Sequence, residues 1–224
     1  MTTKAQKDGL TLKYISPYLG ALIVICCLVL GVDIERLADE GVAFVASPSF
    51  VSMTGLAAAA IVFCVAVQNF LPRAWRETIV FWRVNHRLPG YRAFSKFALG
   101  DGRINATRLA RAGGRPDLSP EKQNDLWYQW YRKTQDEPSV WHVSRLYLAF
   151  RDLAAVVLIS SPVAFAAWIL EGQSAAAAVI LSGFVLGSYF LSIVVARNKA
   201  VELVTNVLAL KSSAGDPEPR ILQI

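Results

Sequence analysis

The chain has 224 residues, of which 54% are apolar and 18% are charged, and its formal net charge is +6. An average soluble domain carries about 25% charged residues, so this composition argues against an ordinary soluble domain. The charged residues are absent from four apolar windows and concentrated between them, which is typical of an integral membrane protein. The three cysteines lie inside apolar windows without metal-ligand spacing, so we expect neither a metal site nor a redox role for them.

The four apolar windows predict an all-α integral membrane protein whose four transmembrane helices form two hairpins. Each window approaches the roughly 20 residues that cross about 30 Å of hydrocarbon. The predicted spans are residues 14–32, 50–71, 153–170 and 175–196. The predicted order of parts is an N-terminal tail (1–13), a first hairpin (14–71), a basic helical domain (72–151), a second hairpin (152–196) and a helix with a tail (197–224).

The lysine and arginine residues predict the orientation of these spans. The basic domain carries fifteen of the 23 basic residues, whereas the 33–49 segment carries only Arg36. With four spans, every basic residue except Arg36 lies on the same side of the membrane. Because basic residues in short loops stay on the cytoplasmic side, we expect both termini and the basic domain in the cytoplasm.

The basic domain begins with a predicted helix over residues 72–87. The apolar stripe of this helix, at helical spacing, consists of Trp75, Ile79 and Trp82. The helix either lies on the inner leaflet, with its arginines at lipid phosphates, or packs against the rest of the domain. Leu88-Pro89-Gly90 ends it, and residues 91–104 are expected to form an ordered loop.

Capping residues predict the next two helices. Asn105 is a preferred helix cap and Gly113 is a stop signal, so a short helix is expected between them. The Ser119-Pro120-Glu121 sequence predicts the start of a second helix, which should run to about Asp136. The expected buried face of this helix is Leu126, Trp127, Trp130 and Tyr131.

Pro138-Ser139 predicts a further helix that runs without a break into the third span. Its expected apolar side is Val140, Val143, Leu146, Tyr147 and Phe150. Pro162, inside that span, removes one helical hydrogen bond, and Ser160 and Ser161 are expected to bond the freed carbonyl. The fourth span is likewise expected to continue into the cytoplasm as a helix.

The basic domain also contains candidate residues for an anionic ligand or a protein partner. These are Arg103, Arg108, Arg111 and Arg115. Arginines interleaved with tryptophan and tyrosine suit the phosphates and bases of a nucleic acid or a nucleotide. The alternative is that the positive-inside bias supplies the charge and that the aromatic residues form a small core.

Two pairs of residues in the spans are further candidates. Gly183 and Gly187 form a G-x-x-x-G pattern, which lets helices approach closely either within the chain or between chains. Gln68 and Asn69 either lie at the interface with water or line a hydrated path as pore-lining polar residues.

No motif indicates an enzyme or a cofactor. His86 and His142 have no partner histidine or cysteine at ligand spacing, and the turn at residues 100–102 is too short for a phosphate loop. We therefore expect a protein without catalytic residues, bound metal or cofactor.

Four phrases carry a resemblance to a known family. They are LPGYRAFSKFALGDGRIN, LWYQWYRK, YLAFRDLAAVVL and ARNKAVELVTNVLA, within residues 70–210. In these phrases the chain resembles small bacterial four-span membrane proteins of anti-phage defence operons, such as the membrane component of Hailong-type and Kiwa-type systems. The resemblance implies an oligomeric inner-membrane protein, controlled by a cytosolic partner from the same operon or by a nucleotide product, that permeabilises the membrane when released.

Two functional hypotheses follow from these observations. The first is a homo-oligomeric, channel-like effector embedded in membrane lipid. The second is a non-conducting membrane scaffold or sensor, whose basic domain docks a soluble effector protein or nucleic acid. The spans lack the regular polar stripe that usually marks a pore, although a hydrophobic gate closed by dewetting does not need one.

Overall fold

A computed structural model of the chain describes residues 70–170 and 175–214. These residues are helical and contain no β-strand, which confirms the all-α prediction for this part of the chain. The predicted first span, nearly all of the second span, and Gln68 and Asn69 lie outside the described residues.

The described residues contain six α-helices, one 3₁₀ turn and one π-helical turn. The α-helices are α1 (Arg73–Phe81), α2 (Ala98–Gly100), α3 (Ala106–Arg111), α4 (Pro120–Thr134), α5 (Pro138–Leu170) and α6 (Ala175–Ser213). A 3₁₀ turn (Pro89–Arg92) and a π-helical turn (Ala93–Phe97) precede α2. The chain divides into two units: one contains Ala149–Ile193, and the other, here called the helical core unit, contains Glu77–Leu148 and the residues from Val194 onward.

The core of the helical core unit joins the C-terminal part of α6 to α4 and to the turns before α2. Phe94 and Trp130 meet edge to face with their ring centroids 5.2 Å apart, an arrangement that aromatic pairs favour. The face that α6 contributes is buried and has helical spacing: Leu203, Val204, Val207 and Leu208. The residues that follow the fourth predicted span are therefore part of a packed core.

Both predicted capping residues are confirmed. The Asn105 side chain accepts a hydrogen bond from the Arg108 N–H at 3.1 Å, and the Ser119 hydroxyl accepts one from the Lys122 N–H at 3.4 Å. Gly113 follows α3 with φ +93°, a left-handed conformation that glycine adopts without a steric penalty. Helix α4 ends at Thr134, two residues before the predicted end, and its predicted buried face is confirmed: Trp127 and Trp130 are buried, while Leu126 and Tyr131 are half-buried.

The predicted first helix of the basic domain is wrong in its length, because it spans only Arg73–Phe81. Helix α1 ends at Phe81 because Trp82 adopts a left-handed conformation with φ +52°. Its buried residues are Glu77 and Val80, whereas Trp75 is 65% and Trp82 is 58% exposed. The exposed tryptophans do not decide between the two alternatives for this stripe, so contact with the inner leaflet and packing against the domain both stay predictions.

The predicted ordered loop at residues 91–104 is also wrong, because much of this segment is helical. The buried Gln123 side chain of α4 accounts for the difference, since its Oε1 accepts hydrogen bonds from the N–H groups of Phe94 and Ser95, each at 3.1 Å. Its Nε2 donates to the Leu118 carbonyl at 2.9 Å. A side chain distant in sequence thus accepts the hydrogen bonds of two backbone N–H groups for which the local sequence provides no acceptor.

Helix α5 is continuous from Pro138 to Leu170, as predicted, although it contains Pro162. A proline at position 162 leaves the carbonyl four residues earlier, that of Leu158, without its helical donor. The Ser161 hydroxyl donates to this carbonyl at 2.9 Å, which confirms the predicted role of the adjacent serine. Helix α6 runs through Ser213, which confirms that the last apolar segment continues as a helix.

One helical segment among the described residues, Ser182–Ser213, is long and apolar enough to cross a membrane, as judged by length and composition. This observation is weakly consistent with a membrane protein.

The close packing at Gly114 yields a stability prediction. A Cβ at Gly114 would lie 2.6 Å from a Phe94 ring carbon and 2.8 Å from one of Trp130, so Gly114→Ala should destabilise the fold by about 1–3 kcal/mol. Gly100→Ala is the control because no heavy atom lies within 4 Å of its Cβ position. Thermal unfolding of the detergent-solubilised protein measures the difference, and equal midpoints for the two variants would contradict this packing.

Candidate functional site

Two of the four candidate arginines bind the C-terminal part of α6. The Arg103 guanidinium donates to Asn206 Oδ1 at 3.2 Å and to Thr205 Oγ1 at 3.5 Å. The Arg108 guanidinium donates to the Ser212 carbonyl at 3.3 Å. Because the last carbonyls of a helix carry partial negative charge, a cation at Ser212 is well placed. Both side chains therefore attach the 101–111 region to the helix that continues from the fourth predicted span.

Arg103 is also paired with Asp101. Its guanidinium approaches the two carboxylate oxygens at 2.7 and 3.0 Å. The hydrogen bond from the Arg103 side chain, with a backbone N–H bond from the same residue, lowers the pKa of the Asp101 carboxyl to about 2. The carboxylate in turn raises the pKa of Arg103. The positive charge of Arg103 is therefore largely compensated within the protein.

The other two candidate arginines lie on the exposed surface. Arg115 pairs with Asp117 at 3.5 Å, and both side chains are more than half exposed, so this pair contributes little stability. The side chain of Arg111 has no hydrogen bond or ion pair within the described part of the chain, and the residue is exposed. The structure therefore brings Arg103 and Arg108 to α6 and leaves Arg111 as the candidate most accessible to an anion. Anion or partner binding by these residues stays a prediction.

An open groove of about 590 Å³ lies beside the Asp101–Arg103 pair. Its charged lining residues are Lys96, Asp101 and Glu202, and Glu202 accepts a hydrogen bond from Lys199 at 2.7 Å. The lining carries charges of both signs, so it does not create the single-sign potential that concentrates an anionic ligand.

Gly183 and Gly187 lie on an exposed side of α6. A Cβ at either position would meet no heavy atom within 4 Å. Val179, Leu186 and Phe190, at helical spacing with the glycines, are 71%, 55% and 48% exposed. The space beside Gly183 and Gly187 is therefore not filled by the described part of the chain. These five residues are here called the glycine face.

Sequence reasoning missed a buried ion cluster that links α1 and α5. Asp152 Oδ1 lies 3.1 Å from a terminal nitrogen of Arg76 and 2.7 Å from one of Arg151. The Arg151 and Asp152 side chains are only 7% and 11% exposed. Sequence spacing could not show that Arg76, 76 positions away, joins the adjacent Arg151–Asp152 pair.

The two histidines lie apart from each other on the exposed surface. His86 Nε2 lies 2.6 Å from Glu121 Oε1 on the exposed surface, and the pKa of Glu121 is lowered first by its own backbone N–H and then by His86. His142 is exposed. Across residues 70–170 and 175–214, no cluster of three or more His, Cys, Asp or Glu side chains is arranged to hold a metal ion.

No protein-family model matches the chain, and neither a curated protein nor a solved structure matches it.

The Asp101–Arg103 pair predicts a pH-dependent stability. The folded-state pKa of Asp101 lies below its ordinary value of 3.8, so the stabilisation is present above about pH 4 and is lost as the pH falls toward 2. We expect Asp101→Asn to lower the thermal midpoint at pH 7 by about 1–3 °C, with the difference disappearing near pH 2. Asp117→Asn, in the exposed pair, is the control. If the thermal midpoint of Asp101→Asn stays below that of the natural protein by the same amount at pH 2, the lowered pKa of Asp101 is contradicted.

Proposed function

We propose that this protein is an oligomeric, channel-like effector of the bacterial inner membrane that serves in anti-phage defence and acts by permeabilising the membrane. In this proposal the chain crosses the membrane four times with both termini in the cytoplasm, and a cytosolic partner or a nucleic-acid or nucleotide signal controls it. The four crossings are supported by the distribution of the 23 basic residues. The role in defence is supported by the family resemblance in residues 70–210.

The continuity of α5 and α6 is the observation that carries the proposal. Helix α6 has 39 residues, which corresponds to about 58 Å, and the hydrocarbon layer accounts for only about 30 Å of that length. The remainder, including Val204 and Val207, is buried in the helical core unit. Helix α5 likewise contributes Val140 and Val143 to this core at its start. A ligand that displaces the core would therefore act directly on both helices that continue into predicted spans.

The glycine face supports assembly into an oligomer. Helices associate in lipid through close van der Waals packing at small residues, and Gly183 and Gly187 leave open space on an apolar side of α6. In a homo-oligomer, a second copy of the chain would fill this open space.

A specific observation also favours the alternative of a non-conducting scaffold or sensor. Arg111 and three basic residues of α4 are exposed and have no side-chain partner among the residues that the structure describes: Lys122, Arg132 and Lys133. Such a surface suits an acidic protein or a nucleic acid, and docking would not require the spans to conduct ions.

Ion flux from liposomes separates the two functions. With the purified full-length protein in potassium-loaded vesicles, a channel should release potassium on addition of its cytosolic signal, tested with oligonucleotides and with the protein encoded beside it. Protein-free vesicles that receive the same additions are the control. An absence of flux in all conditions would overturn the channel proposal in favour of the scaffold.

Substitution of the glycine face tests the oligomer. Gly183→Leu with Gly187→Leu should shift the detergent-solubilised particle to a lower mass because the added side chains prevent close approach of two helices. Gly183→Ala with Gly187→Ala keeps both residues small and is expected to leave the particle mass unchanged. Light scattering gives the mass, and an unchanged mass for the leucine pair would contradict assembly through this face.

A further inference from the structure

The segment that follows α1 holds an exposed tryptophan in an unusual backbone conformation. Trp82 has φ +52° and His86 has φ +48°, in the left-handed region that bulky residues seldom adopt. The Trp82 indole is more than half exposed, and Val84 is 70% exposed. Such strain persists only where surrounding contacts enforce it, so the outward position of Trp82 requires an explanation.

Arg197 of α6 supplies the enforcing contact. Its Nε donates to the Val80 carbonyl at 2.7 Å, and its guanidinium carbon lies 4.4 Å from the centroid of a Trp82 ring, within the range of a cation–π interaction. Arg197 is also the first charged residue after the fourth predicted span, 175–196. If that span crosses the membrane, this contact places Trp82 at the cytoplasmic boundary of the bilayer, where tryptophan is favoured.

Three further arginines in the 82–92 segment have no anionic partner among the residues that the structure describes. Arg87 and Arg92 each have a buried Nε without a hydrogen-bond partner. Arg83 has no hydrogen bond or ion pair to any described residue, and burial together with the charge of Arg83 lowers the pKa of Arg92. The carboxylate of Glu121, which contacts this segment, is already bonded to His86. The three guanidinium groups therefore carry positive charge that no described carboxylate compensates, and such charge attracts an anion.

We propose that the 82–92 segment binds the phosphate of an acidic phospholipid headgroup in the inner leaflet. Arg83, Arg87 and Arg92 contact the phosphate, and Trp82 enters the headgroup layer beside it. A lipid fits better than a soluble anion because Trp82 and Val84 present apolar surface at the same place, and because Arg197 ties the segment to the predicted end of a span. This inference rests on the membrane placement in the proposed function but does not require the protein to conduct ions.

Lipid titration of the full-length protein, followed by native mass spectrometry in a mild detergent, tests the site. The variant Arg83→Gln/Arg87→Gln/Arg92→Gln should bind phosphatidylglycerol about tenfold or more weakly than the natural protein, since each basic residue near a lipid surface contributes substantially. Lys122→Gln/Arg132→Gln/Lys133→Gln removes the same charge from α4 and should bind as the natural protein does. Phosphatidylcholine should bind weakly to all three proteins. An equal loss of phosphatidylglycerol binding in both variants, or no loss in either, would overturn the proposal.

Competition with inorganic phosphate distinguishes a lipid from a soluble anion. Millimolar phosphate should leave phosphatidylglycerol bound, because the apolar contacts of Trp82 and Val84 add to the phosphate contact. Displacement of the lipid by phosphate at equal concentration would instead assign the site to a soluble anion and overturn the lipid proposal.

Fluorescence provides a second measurement that does not depend on the arginine variant folding. In vesicles that contain brominated phosphatidylglycerol, the quenched component of the emission should be larger for the natural protein than for Trp82→Phe. Equal quenching would place Trp82 away from the lipid and overturn the proposal. Charge-dependent lipid binding without ion flux would support this site while overturning the channel, so the two proposals fail separately.

Discussion

The burial of the C-terminal part of α6 is the constraint on which the helical core unit depends. Val207 and Leu208 are fully buried, and Val204 is nearly so, and each such side chain contributes about 1.5–3 kcal/mol relative to exposure. The Arg103 and Arg108 contacts attach to the same helix, and the groove beside Asp101 has one wall formed by it. The C-terminal part of α6 therefore positions the Arg103 and Arg108 side chains and the groove beside Asp101.

Local chemistry determines the parts of the fold that the sequence predicts. The caps at Asn105 and Ser119 act within three residues, and the bond from Ser161 to the Leu158 carbonyl spans one helical turn. Each can be recognised from neighbouring residues alone. The long apolar windows likewise predict the continuity of α5 and α6, since nothing in their sequences except Pro162 interrupts a helix.

The errors occur where a distant residue decides the outcome. The turns around Phe94 depend on Gln123, which is 29 positions away, and the end of α1 at Trp82 accompanies a contact from Arg197. For the same reason, the sequence identified the candidate arginines as a group but could not show which of them bind α6 and which remain exposed. An arginine that will bind α6, as Arg103 does across 103 positions, has the same local appearance as one that remains exposed, as Arg111 does.

The proline in α5 has a mechanical consequence. A helix usually resists bending because its backbone hydrogen bonds must stretch. At Pro162 one of these N–H···O hydrogen bonds is missing. The Leu158 carbonyl instead accepts a hydrogen bond from the Ser161 hydroxyl, which can rotate. Bending at this turn therefore requires less free energy than elsewhere in the helix, and the Leu158 carbonyl keeps a hydrogen-bond donor. Any bending of helix α5 should therefore concentrate at this one turn.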